Sequence, residues 1–202
     1  AMTIESCVAI DAAMAAHKEW SETPWIDRAS VMMKIATLLA GKYRYEMNAA
    51  TMLGQAKTTM QAEIDSACEA IDFFKFNVHY ASQIYADQPI SDAGTLNRVE
   101  YRPLEGFVFA ITPFNFTSIA SNLCMSPVLM GNTCIWKPST TSLLSNYVLM
   151  KIYKEAGLPD GVVNFLPGSG TTIGKVAFAS PHLAGVHFTG STKTFNSFWK
   201  TI

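Results

Sequence analysis

The chain has 202 residues, 49% from the hydrophobic set and 15% charged, with 15 Lys and Arg against 16 Asp and Glu. That length suits one domain, or one and a half, on a scale of roughly 100–200 residues per domain, with enough apolar content for a sizeable core. Disorder is excluded, since it needs low hydrophobicity and high net charge, and a formal charge of -1 argues against a nucleic-acid partner.

Residues 1–88 read as a helical segment. Glu5 to Trp20 is alanine-rich, and Trp25 to Leu39 carries Val31, Ile35, Leu38 and Leu39 at helical spacing, with Gly41 as its stop. Beyond Gly54, the residues Ile64, Ala67, Cys68, Ile71, Phe74 and Val78 form one apolar stripe. Asp65, Glu69 and Asp72 share another face, expected to be a solvated surface. Residues 89–106 form a connector, in which Asp92-Ala93-Gly94 signals a turn and Asn97 to Tyr101 is β-prone, so a hairpin is expected.

From residue 107 to 202 short apolar runs alternate with helical patterns. The predicted strands are Phe107–Ile111, Thr133–Trp136, Val162–Leu166 and Gly185–Phe188. The predicted helices are Ser118–Met130, Leu143–Ala156 and Thr171–Ala179, with another opening near Ser191. Uninterrupted apolar strands between helices imply right-handed βαβ units and a doubly wound, Rossmann-like parallel α/β sheet.

Ligands of open α/β sheets bind beyond the carboxyl ends of the strands. The segments there are Thr112 to Thr117, Lys137 to Thr140, Pro167 to Gly170 and Thr189 to Thr192. Lys137 ends an apolar run and precedes Pro138, which fixes the turn, so its ammonium suits a ribose hydroxyl or a phosphate as well as it suits solvent. Asn115 offers an amide to a developing oxyanion, or a loop cap; Asn115-Phe116-Thr117 also fits a glycosylation acceptor. Gly168 to Val176 fits neither a Walker A loop nor a dinucleotide fingerprint: five residues separate Gly168 from Gly174, and Val176 follows Lys175. The histidines His17, His79, His182 and His187 lack metal-ligand spacing, so no metal is expected. Cys7, Cys68, Cys124 and Cys134 form no C-x-x-C pair and are expected as buried free thiols in a reducing compartment. No window reaches the roughly 18 apolar residues of a membrane span, and no signal peptide is visible.

Pro113-Phe114-Asn115-Phe116, Trp136-Lys137-Pro138-Ser139, Gly157-Leu158-Pro159 with Val163 to Gly168, and Phe188-Thr189-Gly190-Ser191 occur in this order on successive βα units. Together they resemble the coenzyme-binding half of the aldehyde dehydrogenase family, and the likeness covers essentially the whole chain. Gln61 to Asp65, Ile71 to Asn77, Leu104 to Phe107 and Pro113 to Thr117 are similar to one branch of that family, the delta-1-pyrroline-5-carboxylate dehydrogenases. The resemblance implies NAD as cofactor and oxidation of L-glutamate gamma-semialdehyde to glutamate in proline breakdown, in the mitochondrial matrix of eukaryotes, the alternative being the cytoplasm. It also implies a small-molecule aldehyde substrate and a homo-oligomer that pairs partly through the hairpin arm, while charge and hydropathy give no membrane or nucleic-acid partner.

Carried over by matching motif, Asn115 is the oxyanion amide, Thr112 and Lys137 contact NAD, and Gly190, Ser191, Thr192, Lys193 and Thr194 face its phosphates. Glu69 reaches toward the substrate amino group, and Phe116 stacks beside its aliphatic chain. Thr140 departs from the glutamate that many relatives use to hold the ribose. The family's nucleophilic cysteine and general-base glutamate belong to later segments, and none of the four cysteines here stands in a matching context. The isolated chain is therefore expected to be inactive. Two alternatives remain: a dehydrogenase for another aliphatic semialdehyde, and a non-catalytic module that associates with full-length subunits.

Overall fold

The computed structural model of this chain describes residues 2–202. Helix α1 (Met2–Glu22) is followed by α2 (Trp25–Ala40) and α3 (Arg44–Gln55). In α2, Ala29, Met32, Ile35, Ala36 and Leu39 fall at helical spacing and are buried, which is the stripe expected from the sequence. Gly41 closes the helix, its N–H donating to Thr37 O at 3.1 Å. Helix α3 lies within the segment read as helical, in a stretch where the sequence marks no separate apolar stripe. It buries Met47, Ala50 and Thr51 one turn apart, a signal weakened by the polar residues between them.

Helix α4 (Thr59–Ala62) opens with a capping box in which Thr58 and Gln61 satisfy each other's free backbone N–H. It runs without a break into a π-helical stretch, Glu63–Cys68, and then into α5 (Glu69–Ala86). Arg44 and Asn48 of α3 both donate to the Glu63 carboxylate and anchor the start of the wide turn. A π turn adds a residue and rotates the faces on either side of it relative to each other. Most of the predicted apolar stripe holds, with Ala67, Ile71 and Phe74 buried and Val78 packed on the core, whereas Ile64, at the start of the wide turn, is 47% exposed.

Strands β1 (Phe107–Ile111), β2 (Thr133–Lys137), β3 (Val163–Phe165) and β4 (Leu183–Phe188) form one parallel sheet in the order β3-β2-β1-β4. The crossovers are α6 (Thr117–Leu129), α7 (Leu143–Ala156) and α8 (Gly170–Phe178), and α9 (Thr192–Thr201) follows β4. All four predicted strands and the helices between them form, with ends shifted by one or two residues. Side chains alternate across the sheet. Phe107, Phe109 and Ile135 pack with Ile10, Ala13, Ile173 and Ala177 under α1 and α8. Ala110, Cys134 and Trp136 face the larger core built with α2, α5, α6 and α7. Gly106 makes the entry to β1 possible. Its φ is +131°, and a Cβ there would overlap the His182 carbonyl oxygen, to which the next residue's N–H is bonded at 2.9 Å.

The connector at 89–106 doubles back at the predicted turn, where Asp92 and Thr95 form an isolated antiparallel bridge. The β-prone stretch Asn97 to Tyr101 is corrected: it is not a strand. Side chains hold the two legs together instead. Gln88 Oε1 accepts from Val99 N at 3.0 Å while its Nε2 donates to Val99 O at 3.3 Å, standing in for a strand partner. Asn97 Nδ2 donates to Ile90 O at 2.8 Å, and Tyr101 OH to Asp87 O at 2.9 Å.

Candidate functional site

The sheet order reverses beside β1: β2 and β3 lie on one side, and β4 on the other. A switch point of this kind opens a crevice at the carboxyl edge. Here that crevice is a cavity of about 850 Å³, reached by Lys137 at the end of β2, by Gly170 and Lys175 of α8, and by Lys193 and Thr194 of α9. Helices α8 and α9 both present their first turns to it, and unbonded N–H groups with the helix dipole favour an anion at such ends. Three lysines and no Asp or Glu stand among the described residues that line it. The donor set therefore suits a phosphate-bearing ligand.

Lys137 is half-buried, and among the described residues its ammonium has no hydrogen-bond or ion-pair partner. Burial pulls its pKa below the ordinary lysine value. These properties argue against a solvated surface lysine. Gly170 stands against this side chain, a Cβ there lying at an ordinary contact distance of 3.9 Å from Lys137 Nζ.

Thr112 stands behind the residues that line the cavity. It is 4% exposed, its N–H donates to Lys137 O at 3.2 Å, and its Oγ1 accepts from Trp136 Nε1 at 2.9 Å. It forms the wall behind Lys137. Ser191 is the N-cap of α9 and accepts from Thr194 N at 3.2 Å, so its hydroxyl is engaged in ending the loop that starts at Gly190. Lys193 and Thr194 line the cavity; Gly190, Ser191 and Thr192 stand just ahead of them.

A second group gathers where β1 passes into α6. Asn115 is exposed and its side chain is unbonded among the described residues; Phe116 follows, half-buried. Ser118 in the first turn of α6 donates to Glu69 Oε2 at 2.7 Å, which ties α5 to this loop. The expected solvated acidic row is thereby corrected. Asp72 is exposed, but Asp65 pairs with Lys57, the two side chains being 14% and 12% exposed, and Glu69 is partly buried with Ser118. Thr117 is buried, its hydroxyl 2.8 Å from Ser145 Oγ, so the Asn115-Phe116-Thr117 acceptor pattern is structural here.

Residue types alone left Gln55, Lys57 and Ser118 unmarked. Lys57 Nζ lies 4.2 Å from the centre of the Phe116 ring. Gln55 bonds Phe114 O and Thr117 Oγ1. These contacts join positions more than fifty residues apart, and no local spacing announces them.

The thiols also need a correction. Cys124 and Cys134 are buried as expected, but Cys7 is exposed on α1 and Cys68 is intermediate. Burial pushes Cys124 up to about 12 and Cys134 well up, and it raises Cys68 as well. All three are held as neutral thiols, which are poor nucleophiles. Cys7 lines a separate cleft between α1 and α8.

The chain is similar to several enzymes of known name. It is 53% identical over 195 residues to a probable delta-1-pyrroline-5-carboxylate dehydrogenase of Schizosaccharomyces pombe, matching 96% of this chain and 36% of that protein. It is 50% identical over 194 residues to the mitochondrial delta-1-pyrroline-5-carboxylate dehydrogenase of Homo sapiens, covering 96% of this chain and 34% of that one. Its fold superposes with a TM-score of 0.97 on the crystal structure of the Mycobacterium tuberculosis delta-pyrroline-5-carboxylate dehydrogenase bound with NAD, at 54% identity, covering 98% of this chain and 37% of that one. The chain thus spans about a third of the length of these relatives. Its residues 4–201 match the aldehyde dehydrogenase family, and the chain belongs to that family.

Proposed function

We propose that this chain is the coenzyme-binding part of an NAD-dependent dehydrogenase that oxidises L-glutamate gamma-semialdehyde to L-glutamate. The observation that carries this reading is the lysine-lined cavity at the carboxyl edge, where two helix N-termini converge on a half-buried Lys137 that has no partner among the described residues. The NAD-bound relative, 54% identical, supports NAD as the occupant. When bound, NAD supplies the hydride acceptor.

The chain's own residues then have distinct tasks. Lys137 and the first turns of α8 and α9 hold the cofactor's hydroxyls and phosphates. The Asn115 amide donates to the aldehyde oxygen as it gains negative charge, a stabilisation made only along the reaction path. Glu69, with one oxygen fixed by Ser118, keeps its other oxygen for the substrate ammonium. The Phe116 ring flanks the aliphatic chain. The nucleophilic cysteine and the general base come from sequence outside this segment, so the segment alone is inactive. The mouse and human relatives are named as mitochondrial, which supports a mitochondrial location for the complete enzyme, in the matrix on this reading. The complete enzyme is a homo-oligomer on the same reading. Ile90 and Leu96, 87% and 84% exposed on the arm, suit subunit contact.

The test is to join the chain to the catalytic remainder of the Schizosaccharomyces pombe relative and follow NADH formation. Saturable turnover of L-glutamate gamma-semialdehyde is expected from the joined protein and none from the chain alone. A folded, NAD-binding fusion that prefers another aliphatic semialdehyde would overturn the substrate assignment.

A second reading, a non-catalytic module that docks on longer subunits, is favoured by one feature. Helix α9 leaves Phe195, Trp199 and the following Ile202 48%, 76% and 72% exposed beside the edge strand β4.

A further inference from the structure

The side chain of Asn115 does nothing to fix its own loop, since it is exposed and unbonded among the described residues. One side chain bonds residues on both sides of it. Gln55, the last residue of α3, donates from Nε2 to Phe114 O at 2.8 Å, and its Oε1 accepts from Thr117 Oγ1 at 3.2 Å. Both ends of one amide are therefore spent on the loop, one bond ahead of Asn115 and one behind it.

The grip has firm backing. Thr117 is buried and its hydroxyl lies 2.8 Å from Ser145 Oγ on α7. Ala56, at φ 53°, is the one non-glycine residue with positive φ among the described residues. That left-handed turn ends α3 and sends the chain on to Lys57, whose ammonium sits over the Phe116 ring while paired with Asp65. Left-handed backbone at a non-glycine residue persists only where its surroundings fix it. Gln55 and Lys57 thus address the same loop from consecutive sides of one constrained turn. A glutamine is the residue type that supplies a donor and an acceptor together without a charge; glutamate keeps the acceptor only, and methionine neither.

We propose that Gln55 is a positioning residue for Asn115: its bidentate amide clamps the loop between Phe114 and Thr117 so that the Asn115 amide meets the substrate oxygen in alignment. This rests on the oxyanion role proposed for Asn115. Misplacing a catalytic group by about 1 Å can cost on the order of a hundredfold in rate.

Two measurements test the clamp. In the joined dehydrogenase, Gln55→Met is expected to lower kcat by roughly ten- to a hundredfold with KM for the aldehyde nearly unchanged. In an Asn115→Ala background the same substitution should lower kcat less than about threefold, because the group it positions is gone. Gln55→Glu, which keeps the acceptor and the side-chain length, should recover part of the loss. In the 202-residue chain itself, the NMR backbone order parameters of residues 114–117 should fall in Gln55→Met while those of the strands stay unchanged. Equal losses of kcat with and without Asn115, or unchanged order parameters across the loop, would overturn the proposal. A fusion that folds and never turns over the aldehyde defeats the dehydrogenase reading instead, and the order parameters still decide the clamp.

Discussion

The indole nitrogen of Trp136 donates to Thr112 Oγ1 at 2.9 Å, and this bond locks the last turn of backbone after β1 to the strand that carries Lys137. Trp136 is fully buried and Thr112 nearly so. The Thr112 hydroxyl is thus already engaged as an acceptor by the protein. Thr112→Val should leave a buried donor unpaired and cost about 1–3 kcal/mol. Urea unfolding followed by tryptophan fluorescence measures this, and NAD affinity should fall less than in Lys137→Ala.

Gly106 carries a second stability prediction. Alanine there must take a φ of +131° and push into the His182 carbonyl oxygen, so the strand entry has to move. The backbone conformation alone should cost roughly 1–3 kcal/mol, and the overlap adds to it. Thermal unfolding of Gly106→Ala should show a clear fall in Tm; an unchanged Tm would mean that β1 and β4 do not meet as described.

Glu69 should discriminate among substrates. Losing a hydrogen bond to a charged group costs about 1.5–3 kcal/mol, or roughly ten- to a hundredfold. In the joined dehydrogenase, Glu69→Gln should therefore raise KM for the amino-bearing semialdehyde far more than for a simple aliphatic aldehyde. Equal changes for the two would place Glu69 in a structural role with Ser118.

Lys137 should make cofactor binding sensitive to alkaline pH. Burial lowers its pKa below 10.5, and binding to an anionic or hydroxyl-rich ligand uses the charged form. Affinity for NAD should fall as pH rises through that lowered value, earlier than an exposed lysine would allow. Folding stability has the opposite sign. Between the lowered folded value and 10.5 the unfolded chain binds more protons, so this residue's contribution to stability rises with pH. Titrations at several pH values, with Lys137→Met removing the trend, check both signs.

Much of this organisation is legible in the residues. The apolar runs at 107–111 and 133–136 became β1 and β2 because uninterrupted apolar strands need helices on both faces, and α1 and α8 on one side with α6 and α7 on the other supply them. Lys137 was legible because strand ends define the ligand edge. The arm was not, since Gln88 takes the place of a strand partner for Val99 and leaves no alternation to read. The stripe was legible from Ala67 to Val78, but Ile64 lies off it, at the start of a π turn that breaks the 3.6-residue period. Glu69 looked like one member of an acidic face until Ser118, 49 positions away in sequence, was found bonded to it. The clamp of Gln55 on the Asn115 loop belongs to the same class of long-range contact.

The most direct measurement is a calorimetric titration of the chain with NAD, beside Lys137→Ala. Saturable binding, weakened about tenfold or more by the substitution, is the predicted result. A cooperatively folded chain that binds no NAD, or binds it equally well without the lysine, would contradict the assignment of the lysine-lined cavity to the cofactor.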